Sequence, residues 1–287
     1  MFPSLPTITI HQATYQDIST VTRFIDQAIL VHRNLDWQPL AEWVPREPFL
    51  LRYENKKLTS LFSCAPDPEG IAWIHAFAVD HWSTDIRKIW LSLLEPAIER
   101  LKILQSNLYS VALSDWYLRL LNETGFTVKQ NIIVLRWNQV MPPTLPLLDG
   151  IVIRPMNPSD LDQVVELDHK AFDTAWTISR VSMEHVYLSA SHSAVAEVDG
   201  LIIGYELSTS NYFSAHLTRL AVSPDFTKAN IGYSLVRAML DFFSSRGIQQ
   251  ITVNTQDDNA ASIGLYKKLG FQLTDESFPV FWLQIMQ

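Results

Sequence analysis

Cysteine is nearly absent: Cys64 stands alone among 287 residues, which excludes an internal disulfide and fits a reducing compartment. Nothing adjacent in sequence would lower its thiol pKa, so it reads as a small buried apolar residue and not as a nucleophile. No run of eighteen uncharged apolar residues occurs, and the start Met1-Phe-Pro-Ser-Leu-Pro6 lacks the basic residues and apolar core of a signal peptide. A cytoplasmic location is expected, with no membrane partner. The eight histidines show no ligand spacing, so no metal is expected. Positive charge is scarce in the second half: residues 1–140 hold 13 Lys+Arg against 14 Asp+Glu (net −1), whereas residues 141–287 hold 9 against 16 (net −7). That half should repel nucleic acid. A negative surface steers cations, which suits an amine acceptor, although an acidic face also serves solubility alone.

What is present is a globular composition, 47% apolar and 18% charged, in a chain long enough for two cores. The two halves echo each other. Ile8-Thr-Ile10 followed by Asp17 is matched 143 residues later by Ile151-Val-Ile153 followed by Asp160, and Phe77-Ala-Val79 is matched at the same offset by Leu220-Ala-Val222. At 145 residues, Thr124-Gly-Phe126 aligns with Leu269-Gly-Phe271. Three landmarks in one order imply a duplicated fold. Between them, the prolines of Met141-Pro-Pro-Thr-Leu-Pro146 can neither extend a helix nor enter a central strand, which marks a linker over 141–149 between domains 1–140 and 150–287.

In the second half, residues 151–154 read as a strand, and Asn157-Pro-Ser-Asp160 as an N-cap, first-turn proline and acid opening a helix. Asp199-Gly200 predicts a tight hairpin between strands 194–198 and 201–208. A strand over 217–222 precedes a helix over 231–245 whose Ile231, Leu235, Val236, Met239, Leu240 and Phe243 share one face. A strand over 249–254, a short helix over 260–269 and a last strand over 278–285 complete the half. The expected class is α/β (α+β): two tandem domains, each a mixed, mostly antiparallel sheet with helices on both faces.

Chemistry concentrates between Leu217 and Phe271. The turn from Ser223 to Gly232 opens a helix, and the unpaired N–H groups and macrodipole of a helix N-terminus attract anions such as a pyrophosphate. The segment Thr227-Lys228-Ala229-Asn230-Ile231-Gly232 followed by Tyr233, together with the run Asn259, Ser262, Tyr266, Lys268, Gly270 and Phe271, resembles the GNAT superfamily of acetyl-CoA-dependent N-acetyltransferases. The family's cradle is Arg/Gln-x-x-Gly-x-Gly/Ala, of which only Gly232 is kept; its second signature, Asn-x-x-(Ala/Ser)-x-x-x-Tyr-x-(Lys/Arg)-x-Gly-Phe, is matched throughout. The final segment is most like the ribosomal-protein N-terminal acetyltransferases, and the resemblance covers roughly residues 150–287.

The resemblance implies that the pantetheine arm of CoA lies along Leu220, Ala221 and Val222 as an added strand, with the Leu220 N–H polarising the thioester carbonyl. The alternative is an ordinary paired core strand. Gly232 would let phosphate oxygens approach the backbone, and Asn230, in place of the other glycine, tolerates left-handed geometry. Lys228 serves either as a charge on a phosphate or as a solvated loop residue. Thr227 stands where the family has Arg or Gln, which weakens the cradle. Asn259 goes to the pantetheine or to the helix cap, and Ser262 to the phosphate side. Tyr266 would protonate or hydrogen-bond the leaving thiolate; otherwise it is a half-buried tyrosine on an apolar helix face. The ribosomal-protein type has a glutamate where this chain has Asn254, which cannot accept a proton. His216 and Glu206 are the two candidate bases, and both compete with purely structural roles.

In the first half, the 143 offset turns Gly232 into Ile89, Tyr233 into Trp90 and Lys228 into Asp85, and the 145 offset turns Tyr266 into Leu121. That half is expected neither to bind CoA in the usual way nor to catalyse. It also holds Trp37, Trp43, Trp73, Trp82, Trp90, Trp116 and Trp137, seven of the nine tryptophans, as expected of core or interface packing. The segment from His32 to Pro39 would border an acceptor cleft. Direct acetyl transfer from acetyl-CoA to an amine is the expected activity; a non-catalytic acyl-CoA-binding or scaffold protein of the same descent is the rival.

Overall fold

The computed structural model describes residues 6–34, 37–81, 85–226 and 229–285. The chain forms two compact units, residues 1–129 with 279–287, and residues 130–278. The division follows neither the 140/150 boundary nor the linear order of the chain. Strand β8 (Thr127–Trp137) starts in the first unit and runs into the second, and the last strand, β14 (Phe271–Leu283), does the reverse. The second crossover falls at Pro279, whose missing N–H interrupts a ladder.

The first unit contains β1 (Ile8–Gln12), α1 (Ile18–Gln27), β2 (Leu30–Arg33), α2 (Leu40–Trp43), β3 (Phe49–Glu54), β4 (Lys57–Ser63), β5 (Ile71–Trp73), β6 (Ala76–Val79), α3 (Ile86–Ile103), β7 (Asn107–Val111) and α4 (Asp115–Glu123). Five antiparallel strands lie in the order β1-β3-β4-β6-β2, while β5 pairs parallel with β7. β7 is joined on its other side by the end of β14, Val280↔Val111 to Leu283↔Leu108. Of the tryptophans expected in core or interface packing, Trp43 and Trp90 are buried in this unit, and Trp90 meets Phe62, Phe77 and Tyr117 edge-on at 5.2, 4.9 and 5.8 Å. Trp82 lies outside the described residues.

The second unit contains β9 (Val152–Pro155), α5 (Leu161–Ala171), α6 (Arg180–Ser189), β10 (His192–Val198), β11 (Leu201–Ser210), β12 (Ser214–Val222), α7 (Ile231–Ser244), β13 (Gln250–Gln256) and α8 (Ala260–Lys268). Its strands follow the order β8-β13-β12-β11-β10-β9, with only β12 and β13 parallel. Asn157 and Asp160 form a capping box before α5, and Asp199 and Gly200 turn the β10–β11 hairpin at φ 49° and 79°. The apolar face of α7 is buried as its spacing requires. α6 has no counterpart in the sequence reading, because its apolar periodicity is weak and its ends lack glycine or proline.

The proline-rich segment is not a free tether. Its carbonyls at Pro142, Pro143 and Pro146 accept bonds from Arg237 Nε (3.1 Å), Tyr233 Oη (2.8 Å) and Asn230 Nδ2 (3.0 Å), donors spaced along one face of α7. Met141, Leu145 and Leu147 add apolar contacts to the same unit.

The duplication extends to register. Ile71↔Asn107 in the first unit and Ser214↔Gln250 in the second are parallel pairs whose four residues differ by 143 throughout.

A fragment of residues 150–287 loses β8 and leaves β13 without Leu135 and Val134, the partners of Val253 and Asn254. Losing burial worth roughly 1.5–3 kcal/mol per such side chain, plus that of Trp137, removes much of the ~5–15 kcal/mol that holds a domain. Circular dichroism should show residues 150–287 unfolded and residues 130–278 folded; a cooperative melt for the shorter fragment would refute this reading. A second expectation concerns His32, stacked on Tyr117 at 3.7 Å, whose pKa is lowered by burial to about 3 against the Ile74 hydrogen bond. Because the folded value lies below the unfolded one, stability present above pH ~6.5 is lost as pH falls toward 3, at up to ~1.4 kcal/mol per pH unit. Thermal melts of His32→Phe between pH 7 and 4 should fall less steeply than those of the parent, and parallel slopes would count against this.

Candidate active site

The parallel pairing of β12 with β13 runs from Ser214↔Gln250 to Leu217↔Val253 and stops there. From Thr218 to Val222, β12 has no strand on that side among the described residues, while its pairing with β11 continues to Gly204↔Val222. Ser223 N donates to Ile203 O at 2.8 Å. Since backbone groups alternate along an antiparallel ladder, Ala221 and Arg219 also point to β11, and the N–H groups of Val222 and Leu220 point into the opened gap. This is the splayed edge that the pantetheine reading requires.

A bulge sets the side chains. The register jumps from Leu207↔Arg219 to Ser208↔Leu217, which leaves Thr218 unmatched. Ala215 and Leu217 therefore pack toward α7, and so do Leu220 and Val222 after the bulge. Arg219 and Ala221 turn to the opposite face.

α7 starts beside this edge. Asn230, its N-cap, has the left-handed backbone foreseen for it, φ 59° and ψ 13°, and its side chain caps no N–H of the helix because it is committed to Pro146. The first-turn amides at Ile231 to Tyr233 thus keep no acceptor from the N-cap residue, which suits an anion. Two glycines let this turn approach its neighbours. A Cβ on Gly204 would lie 2.8 Å from Ile231 Cγ2, and one on Gly232 would lie 3.2 Å from Leu265 Cδ2 and 3.4 Å from Val222 Cγ2. A side chain at 232 would thus crowd the side chains of Leu265 in α8 and Val222 in β12. Tyr233 is buried and spends its hydroxyl on Pro143, so its side chain belongs to packing. Ala229 and Ile231 are buried against Ala194 and Ile203. Thr227 and Lys228 lie outside the described residues.

α8 is capped by Asn259, whose Oδ1 accepts from Ser262 N at 3.1 Å. Tyr266 is 5% exposed and lies 5.8 Å from the Phe271 ring. Burial pushes its phenol well above the usual value, with the Ser262 hydroxyl opposing the rise. The Ser262 hydroxyl is therefore within hydrogen-bond reach of the Tyr266 phenol.

The two candidate bases are separated by the sheet. Glu206, level with Leu220 on the α7 face, is 0% exposed and bonds His192 Nδ1 at 2.7 Å and the Ser208 hydroxyl. Burial raises its pKa against the pull of His192. The His192 ring lies 4.7 Å from Phe242 of α7. His216, by alternation from Leu217, faces the other side and meets Thr252 Oγ1 at 2.9 Å; burial lowers its pKa, which keeps it neutral at pH 7. Asn254 is exposed on β13.

The sequence reading missed a buried network on the face that His216 shares. Arg219 grips Asp168 of α5 through Nε (2.5 Å) and Nη2 (2.9 Å), gives Nη2 to the Trp176 carbonyl (2.6 Å), and stacks on Phe172 at 4.1 Å. Tyr205 Oη donates to the same carboxylate. Burial alone would lower the guanidinium, but Tyr205 and Asp168 outweigh it and hold it above its ordinary value. The available signal was a lone charge inside the apolar run Leu217-Thr-Arg219-Leu-Ala-Val222.

The first unit has the same opening and closes it. β6, which follows the parallel β5–β7 pair, is covered along Ala76–Val79 by β2, from Leu30↔Val79 to Arg33↔Ala76. α3 is capped by its own Asp85, whose carboxylate accepts from Lys88 N at 3.3 Å. A carboxylate and a strand of the same chain stand where an anion and an added strand would go. His32, expected near an acceptor cleft, belongs to that covering strand; Leu35 and Asp36 lie outside the described residues.

Residues 161–271 match the model of the Acetyltransferase (GNAT) family. Over that stretch the chain is similar to the GNAT acetyltransferases. A Bacillus subtilis protein described as a candidate [ribosomal protein bS18]-alanine N-acetyltransferase is 27% identical over 120 residues, 42% of this chain and 80% of that protein. The mycothiol acetyltransferase of Amycolatopsis mediterranei is 28% identical over 173 residues, 52% of this chain and 56% of that enzyme. Among solved structures, a tandem GNAT protein from the clavulanic acid biosynthesis pathway matches at TM-score 0.66 and 14% identity over 98% of this chain and 99% of that one. A GCN5-related N-acetyltransferase from Sphaerobacter thermophilus matches at TM-score 0.62 and 15% identity, over 98% and 96%. Both likenesses run over nearly the whole of each chain and show a shared fold. No described helix is long and apolar enough to cross a membrane.

Proposed function

We propose that the C-terminal half transfers an acetyl group from acetyl-CoA directly to a primary amine, while the N-terminal half takes no part in catalysis. The observation that supports this most is the open edge of β12 past Leu217, with the Leu220 and Val222 N–H groups turned into the gap. Acetyl-CoA, when bound, supplies an activated thioester. Leu220 N–H stabilises negative charge on the acyl oxygen, a role typically worth ~3 kcal/mol. The amides opening α7 hold the diphosphate, and Tyr266 donates its proton to the departing sulfur. His216, neutral at pH 7, is the proton acceptor on the face that it shares with Arg219.

A base weakened by burial favours an acceptor with a low pKa. An α-amine near ~7.7–8.0 is roughly a tenth neutral at pH 7, against about 0.04% for a lysine near ~10.4. The relative named for acetylating an alanine supports the same class. A second reading, an acyl-CoA-binding protein without turnover, draws on the burial of Tyr266 and on the sheet that separates it from His216. The covered edge of β6 and the Asp85 cap support a non-catalytic first half.

Calorimetry should find one acetyl-CoA per chain; two would contradict the assignment of the first half. Thiol release with an amine panel should favour α-amines, and exclusive turnover of a lysine side chain would exclude this acceptor class. Tyr266→Phe should keep cofactor affinity and lower kcat at least ~10-fold. Equal turnover would remove Tyr266 from the mechanism, and cofactor binding without any thiol release would favour the second reading.

A further inference from the structure

Past Leu217, β12 loses one of its two neighbours, so something else must define where the backbone of Leu220 points. The side chains on the α7 face are aliphatic, and Leu220 and Val222 contact α7 without direction-specific bonds. On the opposite face, the first residue after the bulge is Arg219, which makes several directional contacts there. Its guanidinium makes a two-pronged bond to Asp168, further bonds to the Trp176 carbonyl and the Tyr205 hydroxyl, and sits over the Phe172 ring. Arg219 is 8% exposed, and Asp168 and Tyr205 are 0%. A buried ion pair is a weak source of stability, since desolvation offsets attraction, but it defines geometry sharply. The planar fork also fixes orientation in a way an ammonium does not.

We propose that Arg219 is a positioning residue that latches the splayed segment of β12 to α5 and to the Phe172–Trp176 segment, and so aims the Leu220 amide. What the amide is aimed at rests on the acetyl-transfer reading, whereas the latch itself does not. The bulge at Thr218 gives the latch its direction, because it turns Arg219 away from α7 while Leu220 stays against it. The same guanidinium holds the Trp176 carbonyl, so the segment after α5 and the open strand edge are fixed by one group.

The test compares Arg219→Met with Arg219→Lys, and uses Arg154→Met as a control that breaks another ion cluster of the unit, Arg154 with Asp160 and Glu197. Deuterium exchange is followed in peptides covering residues 218–222, and thiol release from acetyl-CoA is followed with an α-amine. Both Arg219 variants should raise exchange at 218–222 at least ~10-fold without changing residues 250–256, and should lower kcat at least ~10-fold with a smaller change in KM. The control should lower Tm and leave both readouts unchanged. If Arg219→Met does not fold, Arg219→Lys alone decides, since it keeps the charge and loses the fork. Unchanged exchange in a folded Arg219 variant would overturn the latch, and raised exchange with unchanged kcat would overturn its role in aiming the amide. Raised exchange in variants of a parent that never releases thiol would leave the latch standing and end the acetyl-transfer reading.

Discussion

The parting of two parallel strands after Leu217 and Val253 is the constraint on which the second unit is built. A sheet ordinarily satisfies its backbone by pairing, and an interior strand with an open flank leaves donors that need either water or a ligand. Several features cluster near the opening: the bulge at Thr218, the close approach of α7 at Gly204, the tight space at Gly232 and the proline segment strapped along α7. Once the opening exists, its chemistry is limited to what extended backbone and a helix start can bind. An elongated ligand with an anionic end meets both requirements.

The first unit shows what happens when the same parting is filled from within. Its parallel pair has the matching register, yet β2 lies on the exposed flank of β6, and Asp85 satisfies the helix start. The two devices are independent in sequence, one a four-residue strand and the other a single carboxylate. Each removes one of the two interactions that the second unit keeps free.

Much of this was legible in the residues. The 143-residue echo announced the duplication, and it reappears in the strand register. Asp199-Gly200, the apolar face of α7, the cap at Asn259 and the left-handed Asn230 follow from local chemistry, so sequence alone reaches them. Three features were not accessible in that way. The exchange of β8 and β14 depends on pairing between segments more than a hundred residues apart, for which no local pattern exists. Glu206 and His216 look equivalent in a strand reading, and only the bulge and the alternation of faces part them. Asp168 and Tyr205 are ordinary until the fold brings them to Arg219.

The crossing of β8 and β14 has a further consequence for how the chain can be cut. β13 takes its partner from β8, and β7 takes one from the end of β14. Removal of either half of the linear sequence therefore leaves the other with a bare strand edge, the kind that invites self-association.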